Sequence, residues 1–324
     1  MKIDLPYSKP NIVDLSRELI NKLLKENLYK TKTSLLGNLQ NDKKILFFLL
    51  DGLGSYQLEK NNGLLLKNKV NDISTTFPST TNVVLTSFCT ASMPREHGIL
   101  SYFMFDDDFG GIFNALVWNK IDINRSKAEN YLQKKTIWES LSGSGLETTV
   151  LQPKDLSMST LSKNIYRGAE IMTYETIEEL FNKVIKNQDT LTELTFVYYP
   201  PIDLSGHVYG SKSKEYFEEI SFFENEFENY LQELKDFTII LTADHGMVDI
   251  EMSNRINVDS SNELVKFFKP FHKYRLKIYK QVENDDDRPP YQYFSIWLKY
   301  LKEEVMKKEP SDYPKYTKVR RCIT

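Results

Sequence analysis

Three short apolar runs in this chain each end on an acidic residue: KILFFLLDG at Asp51, LTFVYYPPID at Asp203 and FTIILTADHG at Asp244. Runs of this length, rich in aliphatic and aromatic residues and without strict alternation, have the character of fully buried strands. Segments with a helical period lie between them, and strands that alternate with helices build a parallel sheet. The predicted fold class is α/β, with a mostly parallel central sheet and helices on both faces. In such sheets functional groups gather outside the carboxyl ends of the strands. Asp51, Asp203 and Asp244 all belong to that edge, and packing alone gives no reason for three carboxylates there.

The remaining elements follow from period and punctuation. Apolar residues at Ile12, Leu15, Leu19, Ile20, Leu23 and Leu24, with Asn11 or Asp14 as cap, predict a helical lead-in within Ile12 to Leu39. Further helices are expected over Tyr56 to Lys69, Ser79 to Ala91, Lys134 to Ser142, Thr176 to Lys186 and Lys212 to Leu234. Strands are expected over Ile45 to Leu50, Thr148 to Leu151, Leu194 to Tyr199 and Phe237 to Leu241. The segment YFMFDDDFGGIFNALVW, from Tyr102 to Trp118, is β-rich on both sides of a turn and predicts a small β-hairpin insertion. Near the C-terminus HKYRLKIYKQV has the pattern of a strand, and Tyr293 to Lys307 that of a helix. The expected organisation is a single domain over 1–324, with the lead-in at 1–40, the core at 41–250 and a C-terminal segment at 251–324.

Net charge is −3 over 324 residues, and no basic stripe is present, which excludes duplex nucleic acid as an expected partner. The two cysteines, Cys89 and Cys322, are far apart and fit no ligand pattern, so a reducing compartment without a disulfide framework is expected. The opening MKIDLPYSKP has no apolar signal region, and the longest apolar run is far below the ~20 residues of a membrane span. The expectation is a soluble, cytoplasmic protein.

The histidines number four, at positions 97, 207, 245 and 272. His207 follows Asp203 by four residues, and His245 is adjacent to Asp244. Oxygen and nitrogen donors clustered in this way suit a divalent metal. Pro200, Pro201 and Gly206 around the first pair predict a tight loop or a single helical turn. Asp244 and His245 can face one site only beyond the end of a strand, because strand neighbours point to opposite faces. Gly246 provides the turn there. A third constellation is STTFPSTTNVVLTS, residues 74–87. A hydroxyl at a helix N-terminus sits among N–H groups that favour a phosphate, and an oxygen held by a metal becomes a nucleophile. Thr80 and Thr81 both qualify. His97, in MPREHGI, is expected to be a structural hydrogen bonder rather than a ligand.

Taken together and in this order, FFLLDGLG, TFPSTTNVVLTSFCTASMPREHGI, YYPPIDLSGHVYG and ILTADHGM resemble the type I phosphodiesterase and nucleotide pyrophosphatase branch of the alkaline phosphatase superfamily. The resemblance implies an alkaline-phosphatase-like fold and two divalent ions, zinc or alternatively manganese, bridging a phosphoryl group. It implies that Asp51, Asp244 and His245 hold the first ion together with the nucleophile's oxygen, and that Asp203 and His207 hold the second. In this family the nucleophile lies sixteen residues before the histidine of a His-Gly pair. Counting back from His97 reaches Thr81, in preference to Thr80 or Thr76. The implied activity is a metal-dependent phosphodiesterase or nucleotide pyrophosphatase with a phospho-threonine intermediate, acting on a small phosphate ester or nucleotide. The same site also serves a phosphomonoesterase or phosphomutase, and a catalytically weakened form would be a binding module. Two departures bear on this choice. Tyr102 stands where the family has an asparagine for a phosphoryl oxygen. No His-Gly pair follows residue 246, which leaves His272 as a weak candidate for the second ion's third ligand, and the tail PKYTKVRRCIT has the look of a chain that ends before that element.

Overall fold

The computed structural model describes residues 9–31, 34–37, 39, 44–106, 109, 111–118, 128–188 and 192–249. All belong to one compact unit that ends at Asp249. The C-terminal strand and helix expected above lie outside these residues, as do His272 and Cys322. The described strands are β1 (Lys44–Leu50), β2 (Phe103–Asp106), β3 (Gly111–Asn114), β4 (Thr148–Pro153), β5 (Glu170–Tyr174), β6 (Leu194–Tyr199) and β7 (Phe237–Thr242). Five of them form a sheet in the order β5-β4-β6-β1-β7, with every neighbouring pair parallel. The hairpin β2-β3 is separate and antiparallel, as the sequence predicts.

β1 shows why the sheet is covered on both faces. Ile45, Phe47 and Leu49 enter one core, and Leu46, Phe48 and Leu50 enter the other. On the first face the helices Ile12–Leu24 and Thr81–Cys89 contribute Leu19, Val84 and Phe88, with Phe88 against Phe47 at 4.9 Å between ring centroids. On the second face the helices Ile177–Lys186 and Lys214–Tyr230 contribute Phe181, Phe223 and Phe227, which surround Phe48 at 5.8–6.1 Å. Burying a side chain of this size stabilises the fold by about 1.5–3 kcal/mol. The sheet is therefore a rigid platform for whatever its strand ends carry.

The structure corrects several boundaries. The lead-in helix is capped by Asn11, whose side chain accepts the N–H groups of Val13 and Asp14, and it stops at Leu24 rather than near Leu39. Lys25 takes a left-handed conformation with φ of 54°, and Leu36 rejoins the core as a separate segment. The helix expected over 56–69 is two helices, Ser55–Asn61 and Leu64–Lys67. Asn62 turns left-handed between them, and the buried Glu224 carboxylate fills the corner, accepting from Asn61 Nδ2 and from the Leu65 N–H, both at 2.8 Å. A Cβ on Gly63 would collide with that carboxylate. The helices Pro94–His97 and Thr160–Ile165 and the edge strand β5 carry no signal strong enough to predict. Residues Glu170 and Ile171 of β5 are exposed, so the strand presents no apolar run. Among the described residues no helix is long and apolar enough to cross a membrane, and Cys89 is a free, buried thiol.

Candidate functional site

β6, β1 and β7 are adjacent and run in the same direction, so their carboxyl ends lie side by side. Leu50 pairs with Tyr199, and Leu49 with Thr242. The chain leaves β1 at Asp51, leaves β6 into the helix bearing Asp203, and leaves β7 two residues before Asp244. Three carboxylates distant in sequence are thereby delivered to one edge.

Gly52 tightens the convergence. Its φ of +78° suits glycine, and a Cβ there would lie 2.9 Å from Cα of Asp203. The Gly52 N–H donates to Asp244 Oδ1 at 3.1 Å, and the Gly52 carbonyl accepts from the Tyr216 hydroxyl at 2.7 Å. Asp244 Oδ1 also accepts the His245 N–H at 2.8 Å. Gly54 and Gly246 meet backbone to backbone, with Gln57 Nε2 donating to the Met247 carbonyl at 2.6 Å. The loops after β1 and β7 are in this way tied into a single wall.

His245 stands at the centre. Its Nδ1 lies 3.0 Å from the Gly246 carbonyl. With the proton on Nδ1, Nε2 presents a lone pair to the site, the arrangement common for metal-ligating histidines. That Nε2 is 3.1 Å from Thr81 Oγ1, 3.3 Å from Asp51 Oδ1 and 3.5 Å from Asp244 Oδ2. Ligand atoms of Asp51, Asp203 and His245 lie within 4.8 Å of one another. Asp51 Oδ1, Asp203 Oδ1 and Asp244 Oδ2 are buried and have no hydrogen-bond partner among the described residues. Burial, then the neighbouring Asp244 and Asp203 carboxylates, raises the pKa of Asp51 far above the usual carboxylate range. Burial likewise pushes Asp244 up to about 7, against the pull of its backbone hydrogen bonds. Unpaired buried oxygens of like charge around a bare imidazole nitrogen are costly unless something positive joins them. The donor set, carboxylate oxygens with one imidazole and one hydroxyl, fits a divalent cation.

Thr81 is the first residue of the helix Thr81–Cys89, and no side chain caps that N-terminus. The Thr80 carbonyl accepts the Val83 N–H at 2.9 Å, and no side chain takes the N–H groups ahead of it, so the positive end of the helix stands open beside Thr81. Two neighbouring hydroxyls are engaged elsewhere: Thr80 Oγ1 donates to Asn82 Oδ1 at 2.9 Å, and Thr76 Oγ1 to the Pro78 carbonyl at 3.0 Å.

The Asp203–His207 segment is not a loop but a regular helix, Pro201–Tyr209. Pro201 occupies its first turn, where a fixed φ and a missing N–H are no handicap. Gly206 does not break the helix. It admits Tyr216, whose ring carbons would lie 3.0 Å from an added Cβ. Asp203 and His207 share one helix face, with His207 Nε2 3.3 Å from Asp203 Oδ2. The His207 side chain is 69% exposed, and among the described residues its link to the cluster is through Asp203. His97 is structural, as expected: it is buried, its Nε2 meets Ser87 Oγ at 2.8 Å, and its Nδ1 accepts the Ile99 N–H at 3.1 Å. Sequence reasoning missed Tyr198, whose hydroxyl donates to Asp51 Oδ2. A tyrosine inside an apolar strand carries no signal that separates it from core.

A family model, type I phosphodiesterase / nucleotide pyrophosphatase, matches residues 45–319. Among solved structures, the murine ectonucleotide pyrophosphatase / phosphodiesterase 5, as an inactive variant in complex with AMP, superposes with a TM-score of 0.55 at 20% identity, over 68% of this chain and 62% of that one. The human protein of the same name gives the same TM-score, identity and shares. The match therefore spans less than two thirds of these relatives, and at this identity the likeness is one of fold. A search of curated proteins found no match.

Proposed function

The chain belongs to the type I phosphodiesterase / nucleotide pyrophosphatase family, and from that premise we propose that it is a metal-dependent phosphoric diester hydrolase with Thr81 as nucleophile. The observation that carries this reading is the contact of Thr81 Oγ1 with His245 Nε2 at 3.1 Å, beside three buried carboxylate oxygens that lack partners. Asp51, Asp244 and His245, with the Thr81 oxygen, would hold one divalent ion, zinc or manganese, and Asp203 with His207 a second. Such ions, when bound, lower the pKa of the hydroxyl and neutralise charge on the phosphoryl and leaving oxygens. Thr81 Oγ1 loses its proton to solvent and attacks phosphorus in line with the ester oxygen. A Thr81–phosphorus bond forms, and the bond to the leaving alkoxide breaks. The uncapped helix N-terminus supplies N–H donors to the phosphoryl oxygens, whose charge it favours. Water then cleaves the phospho-threonine and restores the hydroxyl. The murine relative is complexed with AMP, which supports a nucleotide-derived ester as the substrate class.

The test is hydrolysis of bis-p-nitrophenyl phosphate and p-nitrophenyl phosphate with Zn²⁺ or Mn²⁺ at saturating metal content. The expected result is preference for the diester, and loss of at least about a thousandfold in turnover for Thr81→Ala with metal content retained. A Thr81→Ala variant at parental rate removes Thr81 from the mechanism. Preference for the monoester favours a phosphatase or phosphomutase, and no turnover of either favours a binding module.

A further inference from the structure

The carboxylates at the centre share a pattern. Asp244 gives Oδ1 to two backbone N–H groups, those of Gly52 and His245, and keeps Oδ2 unpaired. Asp51 gives Oδ2 to the Tyr198 hydroxyl and keeps Oδ1 unpaired. Each of these buried groups is anchored by one oxygen and offers the other to the neighbourhood of His245 Nε2, at 3.3 Å for Asp51 and 3.5 Å for Asp244. Asp244 is held by the backbone alone. Asp51 is held by one removable hydroxyl.

That hydroxyl is itself fixed. Tyr198 pairs with Leu49 in the sheet, its ring lies in the core with Phe47 and Phe196, and its carbonyl accepts the Tyr174 hydroxyl at 2.7 Å. The side chain is therefore clamped by strand register on one side and by packing on the other. A carboxylate with one oxygen held by a fixed hydroxyl cannot turn about its Cβ–Cγ bond to present both oxygens to one cation.

We propose that Tyr198 is a positioning residue that commits Asp51 to binding a divalent cation through Oδ1 alone. This rests on the reading of the cluster as a metal centre. Outer-shell hydrogen bonds of this kind orient ligands and typically contribute about 10–100-fold to metal affinity. Without the hydroxyl, Oδ2 is released, Asp51 is free to turn, and the coordination sphere gains an oxygen.

The experiment uses the full chain, stripped with a chelator and titrated with Co²⁺ alone. Tyr198→Phe is expected to raise the Co²⁺ dissociation constant about 10–100-fold, and to change the intensity of the visible band, which follows coordination number. Tyr166→Phe is the control: that ring lies in the same core, its hydroxyl has no partner among the described residues, and its removal is expected to leave both readouts unchanged. In an Asp51→Asn background, Tyr198→Phe is expected to be silent. An affinity within about twofold of the parent with a superimposable spectrum overturns the proposal. So does an equal loss in both backgrounds, which marks a packing defect. A crystal structure of the Zn²⁺-loaded parent with Asp51 bound through both oxygens overturns it without any substitution. If the parent itself takes up no Co²⁺, the metal reading of the cluster fails, and this inference falls with it.

Discussion

Gly52 carries more of the site than its size implies, because two carboxylates, those of Asp244 and Asp203, depend on its backbone. Its N–H anchors Asp244, its carbonyl is held by Tyr216, and its bare Cα lets the Asp203 backbone approach. Gly52→Ala places a methyl 2.9 Å from Asp203 Cα at a φ of +78°. The left-handed backbone alone costs about 1–2 kcal/mol for a residue with a Cβ, and the clashing Cα is backbone rather than a flexible side-chain end. The variant is expected to unfold at lower denaturant by at least that amount, and to bind Co²⁺ more weakly because Asp203 is displaced. Denaturant titration and Co²⁺ titration of the same preparation check both. Parental values in each would show that the two loops have room to part.

At the scale of elements, what the sequence made legible was whatever announces itself by hydrophobic period. β1, β6 and β7 are mostly apolar, and the acid that follows each run is visible at once. The helix Pro201–Tyr209 is hidden in the sequence because proline and glycine have the pattern of helix breakers, while one begins the helix and the other packs against Tyr216. The edge strand β5 was hidden because half of it faces outward. The convergence of Thr81 on His245 rests on tertiary contact, and no local pattern distinguishes Thr81 from Thr80. The His97 corner makes an element-level prediction. Burial, then the Lys134 charge, lowers His97 to about 3, so the ring is neutral in the fold. Ser87 Oγ donates to the Val83 carbonyl, so the ring donates from Nε2 and accepts the Ile99 N–H at Nδ1, which a second proton would block. The unfolded chain takes up that proton below about pH 6.5. Stability is therefore undiminished above that pH and falls as pH drops toward 3, by about 2 kcal/mol at pH 5 for this residue. His97→Gln is expected to flatten this part of the pH profile of unfolding free energy. An unchanged slope would show that the ring is protonated in the fold.

For the whole molecule, the architecture that creates the site also burdens it. The order β6-β1-β7 sets three strand ends side by side, and an acid follows each within four residues, so folding gathers negative charge at one largely buried edge. The metal-free chain folds against this repulsion, and a ligand that binds only the folded state returns stability by mass action. At a free Zn²⁺ concentration of about 100 times the dissociation constant the gain is about 2.7 kcal/mol, and a chain of this size is expected to melt roughly 5–10 °C higher. Asp244→Asn separates charge from shape. The amide oxygen still accepts the N–H groups of Gly52 and His245, and the amide nitrogen replaces the unpaired Oδ2 with a donor facing Asp51. The metal-free variant is then expected to melt at or above the metal-free parent, while its Zn²⁺-induced shift shrinks to a small fraction of the parent's. Thermal melts of both proteins, each with chelator and with Zn²⁺, give the four values required. Equal Zn²⁺ shifts in parent and variant would remove Asp244 from the ligand set, and a metal-free variant that melts well below the parent would show that repulsion at this strand edge is not what limits the fold.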